Sequence, residues 1–394
     1  MFRRNTLDWN ISKRHNLQRC CACIFALLTA GLLTACGTDH DTIRSTETTS
    51  SSHPEHNDTQ SSQADTLHKQ FGESCITEQT FEVELSEYQG KVWFVPYAPS
   101  GDEQTLRIQI MQDGEILADL YPYVPELLES ASFTSLDAVA FFDVNYDNCT
   151  DIVLIETYDD TSFAAIYYGF AADADAYERY FFSQSQLSEN ITNRLKTLTI
   201  PEIRSLTQGK KNGSFTDYQE AYETISHLSE LESSGSLEYN LIDFDGDDTP
   251  ELVTGVEGYY ISLYTYHDGT VYPLMDKWAY GAMGNAGYEY VPGKNNLRNY
   301  NTDYAGLILY TAYMKIGTQH SLEMVAHIET LNFDDVNGNG IPDEEEEASF
   351  GCYSVSYIDD KEVSPEECDS YNAGEYEYIT PIMSLEELLA ALQQ

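Results

Sequence analysis

Leu241-Ile242-Asp243-Phe244-Asp245-Gly246-Asp247-Asp248-Thr249-Pro250-Glu251-Leu252-Val253 sets carboxylates at relative positions 1, 3, 5 and 9 of a loop bounded by apolar runs. A hard cation takes about six to eight oxygens at about 2.3–2.6 Å, and alternate residues of a tightly curled loop can aim their side chains at one centre. Gly246 lets the backbone curl. The carbonyl of Thr249 offers a further oxygen, so the expected ligands are Asp243, Asp245, Asp247, Thr249 and Glu251. The cofactor this spacing implies is Ca2+.

Two more stretches repeat the pattern. Asp143-Val144-Asn145-Tyr146-Asp147-Asn148-Cys149-Thr150-Asp151 precedes the apolar run Ile152 to Ile155, with Asp143, Asn145, Asp147 and Asp151 as candidate ligands. Asp335-Val336-Asn337-Gly338-Asn339-Gly340-Ile341-Pro342-Asp343 offers Asp335, Asn337, Asn339, the Ile341 carbonyl and Asp343. It adds Glu346 at position 12, where helix–loop–helix calcium loops carry a bidentate glutamate. The alternative for each stretch is an ordinary Asp/Asn/Gly turn between strands. That alternative is strongest at Asp143, where Tyr146 and Cys149 replace small or polar residues.

Outward from these loops the pattern is β. Phe81 to Leu85 and Leu106 to Ile110 alternate, and Asp113-Gly114 leads into Glu115 to Leu117 as a hairpin. Val139 to Phe142 and Ile152 to Ile155 flank the first loop, and Phe163 to Phe170 and Tyr177 to Phe182 extend that sheet. Leu187, Ile191, Leu195 and Leu198 fall near helical spacing. Thr216, with Gln219 three residues on, starts a second helix whose face is Tyr218, Ala221, Tyr222, Ile225 and Leu228. Tyr259 to Tyr266 turns at Asp268-Gly269 into Val271 to Leu274, and Leu307 to Ile316 and Glu323 to Phe333 resume as strands. Ser384 caps a last helix, Leu385 to Leu392, with Glu387 at its third position. The fold class is therefore α+β, mainly antiparallel β-sheet in two domains with a few helices, and calcium loops at strand–loop–strand corners. The domains expected are 71–183, a β domain with the first loop, and 184–394, an α+β domain with the second and third.

Ahead of them, Arg3, Arg4, Lys13, Arg14 and Arg19 precede the apolar stretch Cys20 to Ala35, the layout of an export signal over 1–35. The stretch is shorter than the roughly 20 residues a helix needs to span a bilayer. Leu33-Thr34-Ala35-Cys36-Gly37 resembles the lipobox of bacterial lipoproteins, which implies cleavage before Cys36 and acylation, as by palmitate, of its thiol. Residues 36–70, rich in Ser, Thr, Asp, His and Gln, read as a disordered tether. The expected location is the cell membrane, lipid-anchored and facing outward.

The chain carries a formal net charge of −46 from 66 acidic and 20 basic residues. Nucleic acid is excluded as a partner, because phosphate binding needs a concentrated basic surface. So many like charges strain a compact state, and divalent cations relieve that strain. Beyond Cys36 the cysteines are Cys75, Cys149, Cys352 and Cys368, an even set that suggests two disulfides outside the cell, Cys352–Cys368 and Cys75–Cys149.

The first two loops resemble the calcium motif of FG-GAP and VCBS-type repeats, and Asp335 to Asp343 is closer to the loops of thrombospondin type three repeats. The loop starts, 143, 243 and 335, lie too far apart for propeller blades of about 40–50 residues. Signal, polar tether and acidic β body together are similar to surface lipoproteins of Gram-positive bacteria. The lipobox and the three cation-spaced loops together point to a binding, adhesion or structural module of the cell envelope, and the expected partner, on which the resemblance is silent, is an extracellular protein or glycan.

An extracellular hydrolase is the alternative. Asp243-Phe244-Asp245-Gly246 resembles the nucleophile motif of haloacid-dehalogenase phosphatases, with Asp243 as nucleophile and Asp245 as acid/base. Asp247 stands where that family has Thr or Val, and βαβ alternation is missing around it. No G-x-S-x-G or H-E-x-x-H motif occurs, and in so acidic a chain no carboxylate pair stands out as a glycosidase. Trp278, Tyr280, Tyr288, Tyr290, Tyr300 and Tyr304 either present rings to a partner or pack between strands.

Overall fold

Two apolar runs, Ile152 to Ile155 and Leu252-Val253, are continuous where a half-exposed strand would alternate, so their sheets must be covered on both faces. The computed structural model describes residues 57–393 apart from 101–104, 121–123, 126, 127, 129, 148, 171–180, 209–213 and 283. The expected signal, Cys36 and most of Tyr177 to Phe182 lie outside the described residues.

Every strand pairing among the described residues is antiparallel. Three sheets are four-stranded meanders. The first holds β1 (Phe81–Glu84), β2 (Lys91–Tyr97), β3 (Arg107–Gln112) and β4 (Glu115–Leu120). The second holds β5 (Phe133–Phe142), β6 (Asp151–Tyr158), β7 (Thr161–Gly169) and β8 (Phe181–Ser183). The third holds β9 (Glu238–Ile242), β10 (Glu251–Val256), β11 (Tyr260–His267) and β12 (Thr270–Ala279). The fourth, in the order β18-β17-β16-β15-β14-β13-β19, holds β13 (Gly287–Tyr290), β14 (Leu297–Asp303), β15 (Ile308–Ile316), β16 (Leu322–Leu331), β17 (Val355–Ile358), β18 (Lys361–Val363) and β19 (Glu377–Tyr378). The hairpins at Asp113-Gly114 and Asp268-Gly269 form as expected, with φ of 51° and 86° and of 48° and 88°. Helices are α1 (Asn57–Phe71), α2 (Ser185–Arg194), α3 (Ile200–Gln208), α4 (Tyr218–Glu232), α5 (Glu344–Glu347), α6 (Pro365–Asp369) and α7 (Leu385–Leu392).

Stacking of the sheets explains the two-sided burial. Val92, Phe94 and Ile110 of the first sheet meet Phe141, Ile152 and Leu154 of the second. The opposite face of the second sheet, with Val153, Ile155 and Ile166, packs on Ile191, Ile203 and Leu228 of the helices. The other side of α4, through Tyr222 and Ile225, packs on Tyr239 and Leu252 of the third sheet and on Leu388 of α7. The far face of the third sheet, with Val253 and Leu263, meets Tyr290, Leu297 and Met314 of the fourth. Helices α2, α3, α4 and α7 thus form a central layer with two sheets on either side.

Three expectations need correction. Residues 57–70 of the expected tether form α1 together with Phe71, and the helix buries Leu67 and sets Phe71 5.2 Å from Trp93 on the first sheet. Helix α4 is capped by Asp217, not Thr216, because the Asp217 carboxylate accepts the Glu220 N–H at 2.9 Å. Among the described residues neither expected disulfide, Cys352–Cys368 or Cys75–Cys149, is formed, and Cys75 is buried with its Sγ 3.1 Å from Thr80 Oγ1. Cys149 lies in the first loop, while Cys368 packs under Tyr313 and Ile328 of the fourth sheet and Cys352 is exposed.

Candidate metal centres

The first two loops are equivalent by construction: each is the turn between strands one and two of its meander. Asp151 pairs with Phe142 across β5 and β6, and Glu251 with Ile242 across β9 and β10. Position 9 therefore opens the outgoing strand opposite the residue that precedes position 1. Position 2 is a plug: Val144 and Phe244 are both fully buried. The plug's N–H donates to the position-9 carboxylate, Val144 to Asp151 Oδ2 at 2.6 Å and Phe244 to Glu251 Oε2 at 2.9 Å. The second oxygen is also held, Asp151 Oδ1 by Gly169 N–H at 2.9 Å and Glu251 Oε1 by the Thr265 hydroxyl at 3.2 Å.

Position 4 takes the left-handed region in all three loops, with φ of 65° at Tyr146, 82° at Gly246 and 68° at Gly338. Tyr146 bears this backbone because its ring packs 5.5 Å from Phe215 and its hydroxyl donates to the Gln208 carbonyl at 3.1 Å. At Gly246 a Cβ would stand 2.8 Å from the Gly293 carbonyl oxygen.

Odd-numbered side chains curl over the backbone in the same way at positions 3 and 5, and with one difference at position 1. Position 1 accepts from the following turn: Asp143 from Asp147 N–H at 3.2 Å, Asp243 from Gly246 N–H at 3.0 Å, Asp335 from Asn339 N–H at 3.0 Å. Position 3 accepts the position-5 N–H, at 3.4 Å for Asn145, 3.1 Å for Asp245 and 3.0 Å for Asn337. Position 5 accepts the position-7 N–H, from Cys149 to Asp147 at 2.7 Å, Thr249 to Asp247 at 2.6 Å and Ile341 to Asn339 at 2.7 Å. Each of these oxygens keeps a lone pair for a cation. Among the described residues no group of three or more His, Cys, Asp and Glu side chains is set to hold a metal as it stands. The oxygens are gathered along one turn and directed at backbone N–H groups.

The third loop is built differently. Val336 is 78% exposed and plugs no core. Asp343 instead caps α5, accepting from Glu345 and Glu346 N–H, while buried Glu346 accepts from Asn337 N–H and Asp343 N–H, each at 3.2 Å.

The carboxyls furthest from their ordinary range are at position 9 of the first two loops. Burial, with Asp245 and Asp247 adding repulsion, pushes the Glu251 carboxyl up to about 8. Burial first and Asp147 next hold Asp151 well above the usual carboxylate range. Burial also raises Asp147.

Residues distant in sequence hold the loops in place. The Asp143 carbonyl accepts from Gln208 Nε2 at 2.5 Å, and Thr150 N–H donates to Ser86 Oγ at 2.6 Å and Glu87 Oε1 at 2.8 Å. In the second loop Gly293 N–H and Asn295 N–H donate to the Asp243 and Phe244 carbonyls, each at 2.9 Å. Of the aromatic stretch, Tyr288 and Tyr290 are buried, whereas Tyr300 and Tyr304 are 39% and 42% exposed. Comparison with protein-family models, with curated proteins and with solved structures gives no match to this chain.

Proposed function

We propose that the chain is a lipoprotein anchored to the outer face of the cell membrane through Cys36, whose acidic body is held in shape by Ca2+ in its loops. It serves as a binding, adhesion or structural module with an extracellular protein or glycan as partner. The observation that carries this reading is the shared loop conformation: left-handed position 4, with oxygens at positions 1, 3 and 5 drawn over one turn in three separate places. Burial first, and then the neighbouring loop carboxylates, raise Glu251 and Asp151, and a divalent ion in each loop would offset the second of these. The body is read as two units, 71–183 and 184–394, sharing the helix layer as a common core.

The hydrolase alternative fares worse at Asp243 and Asp245. They sit in a turn between antiparallel strands, where a phosphatase of the resembled class needs a parallel strand feeding a helix. The test is calcium titration by calorimetry of the full chain and of the Asp243→Asn/Asp245→Asn variant. The variant should lose one site and keep the rest. Absence of calcium binding to the unaltered chain at millimolar concentration would refute the reading.

A further inference from the structure

Between α4 and the second and third sheets lies a cavity of about 210 Å3. Successive strand residues point to opposite faces, yet Asp276 and Lys277 of β12 both line it. The cause is a bulge. Pairing with β11 passes from Ile261–Trp278 to Leu263–Met275, Lys277 adopts φ of 49°, and its N–H turns to Ser262 Oγ at 2.9 Å. Left-handed backbone at a non-glycine residue and bulges that re-aim side chains both concentrate at functional sites.

The charges in the cavity do not cancel. Lys277 is committed to Glu232, with Nζ 2.8 Å from Oε2, and Tyr168 donates its hydroxyl to the other Glu232 oxygen at 2.5 Å. Asp276 and Asp147 then face the cavity as further carboxylates. Partial desolvation at the cavity wall, reinforced by Glu232 and Asp147 against the opposing pull of Lys277, raises the carboxyl of the otherwise exposed Asp276. Glu232 is also the last residue of α4, whose final turn carries no basic residue of its own. The helix end therefore adds partial negative charge to the same place.

One wall is apolar. Leu228 and Pro273 line it together with Phe170, which is 44% exposed and meets Phe182 edge-on at 4.8 Å. An exposed ring beside carboxylates suits a cation with an apolar body. The volume is below the roughly 300–1,000 Å3 of drug-sized sites, so the ligand has about one ring or a short chain.

We propose that this cavity binds a small organic ammonium ion, its charged nitrogen between Asp276 and Asp147 and its aromatic or aliphatic body against Phe170 and Leu228. The site is separate from the calcium reading except that Asp147 belongs to both, so binding is measured in EDTA. Calorimetric titration of the full chain compares 2-phenylethylamine with its neutral isostere 2-phenylethanol. The amine should bind at least about tenfold more tightly than the alcohol. Asp276→Asn, at an accessible position that leaves the core intact, should weaken the amine about tenfold and leave the alcohol unchanged. Lys277→Gln frees Glu232 and should tighten amine binding. Equal binding of amine and alcohol, an unchanged affinity in Asp276→Asn, or no amine binding at all would each overturn the proposal.

Discussion

Asp151 and Glu251, a hundred positions apart, do the same work in two different sheets: each is fully buried at the start of an outgoing strand and accepts the N–H of its loop's apolar plug, Val144 at 2.6 Å and Phe244 at 2.9 Å. A buried carboxylate in this role fastens the hairpin whether or not a cation is bound. Removing it leaves buried donors without acceptors.

Asp151→Ala orphans the N–H groups of Val144 and Gly169. With about 1–3 kcal/mol for each unmet buried donor, urea unfolding should show a loss of at least about 2 kcal/mol. Asp151→Asn keeps one acceptor and should lose less. Equal stability of all three proteins would remove the fastening role.

Glu156, 1% exposed in β6, meets the Tyr158 hydroxyl at 2.9 Å, and burial pushes its carboxyl up to about 7. The folded value stands above the unfolded one, so this group's stabilisation is complete below about pH 4.5 and is lost as pH rises through about 7. At pH 8 Glu156→Gln should be more stable than the parent by something of the order of 3 kcal/mol. Near pH 4 the difference should vanish. Denaturant midpoints across that range measure it, and parallel pH curves for the two proteins would contradict it.

Gly246→Ala forces a side chain into φ of 82° and against the Gly293 carbonyl oxygen. The expected cost is about 1–3 kcal/mol by thermal or urea unfolding. Gly258→Ala, also at positive φ (73°) but with open space around it, isolates the backbone part of that cost. If Gly246→Ala is no worse than Gly258→Ala, the close approach of the turn at Gly293 carries no energy.

Cys36→Ala should move the protein from the detergent phase to the aqueous phase in cell fractionation and abolish labelling by a palmitate analogue. Unchanged partition would refute anchoring through Cys36. One acyl chain gives only marginal membrane binding, so stable retention implies two or more.

Signals contained in a few adjacent residues were readable in the sequence. The Ser384–Glu387 capping box forms with both of its hydrogen bonds, and the two Asp-Gly hairpins turn where expected. The loops' spacing also reported their turn geometry. Strands β13 and β14 escaped notice because Gly287 to Tyr290 is short and Leu297 to Asp303 is mostly polar, their pairing being set by β15 and β19. Helix α1 escaped for a similar reason: its docking rests on Leu67 and Phe71 within a polar stretch. Gln208, Glu87 and Gly293 support the loops from positions set only by tertiary packing. The bulge that brings Asp276 and Lys277 into one cavity has no local signal, since no glycine or Asp-Gly pair marks it.

The central claim is that calcium stabilises the folded body through its three loops. A ligand that binds only the folded state adds RT ln(1 + [L]/Kd), about 2.7 kcal/mol at a hundredfold excess over Kd, and extracellular calcium modules work near 10⁻⁴–10⁻³ M. The most direct measurement is the Tm of the full chain in EDTA and in about 10 mM calcium. Calcium should raise Tm by several degrees, since about 1 kcal/mol shifts Tm by roughly 2–4 °C in a protein of this class, and Asp243→Asn/Asp245→Asn should forfeit part of the rise. An identical Tm in EDTA and in calcium would contradict the claim.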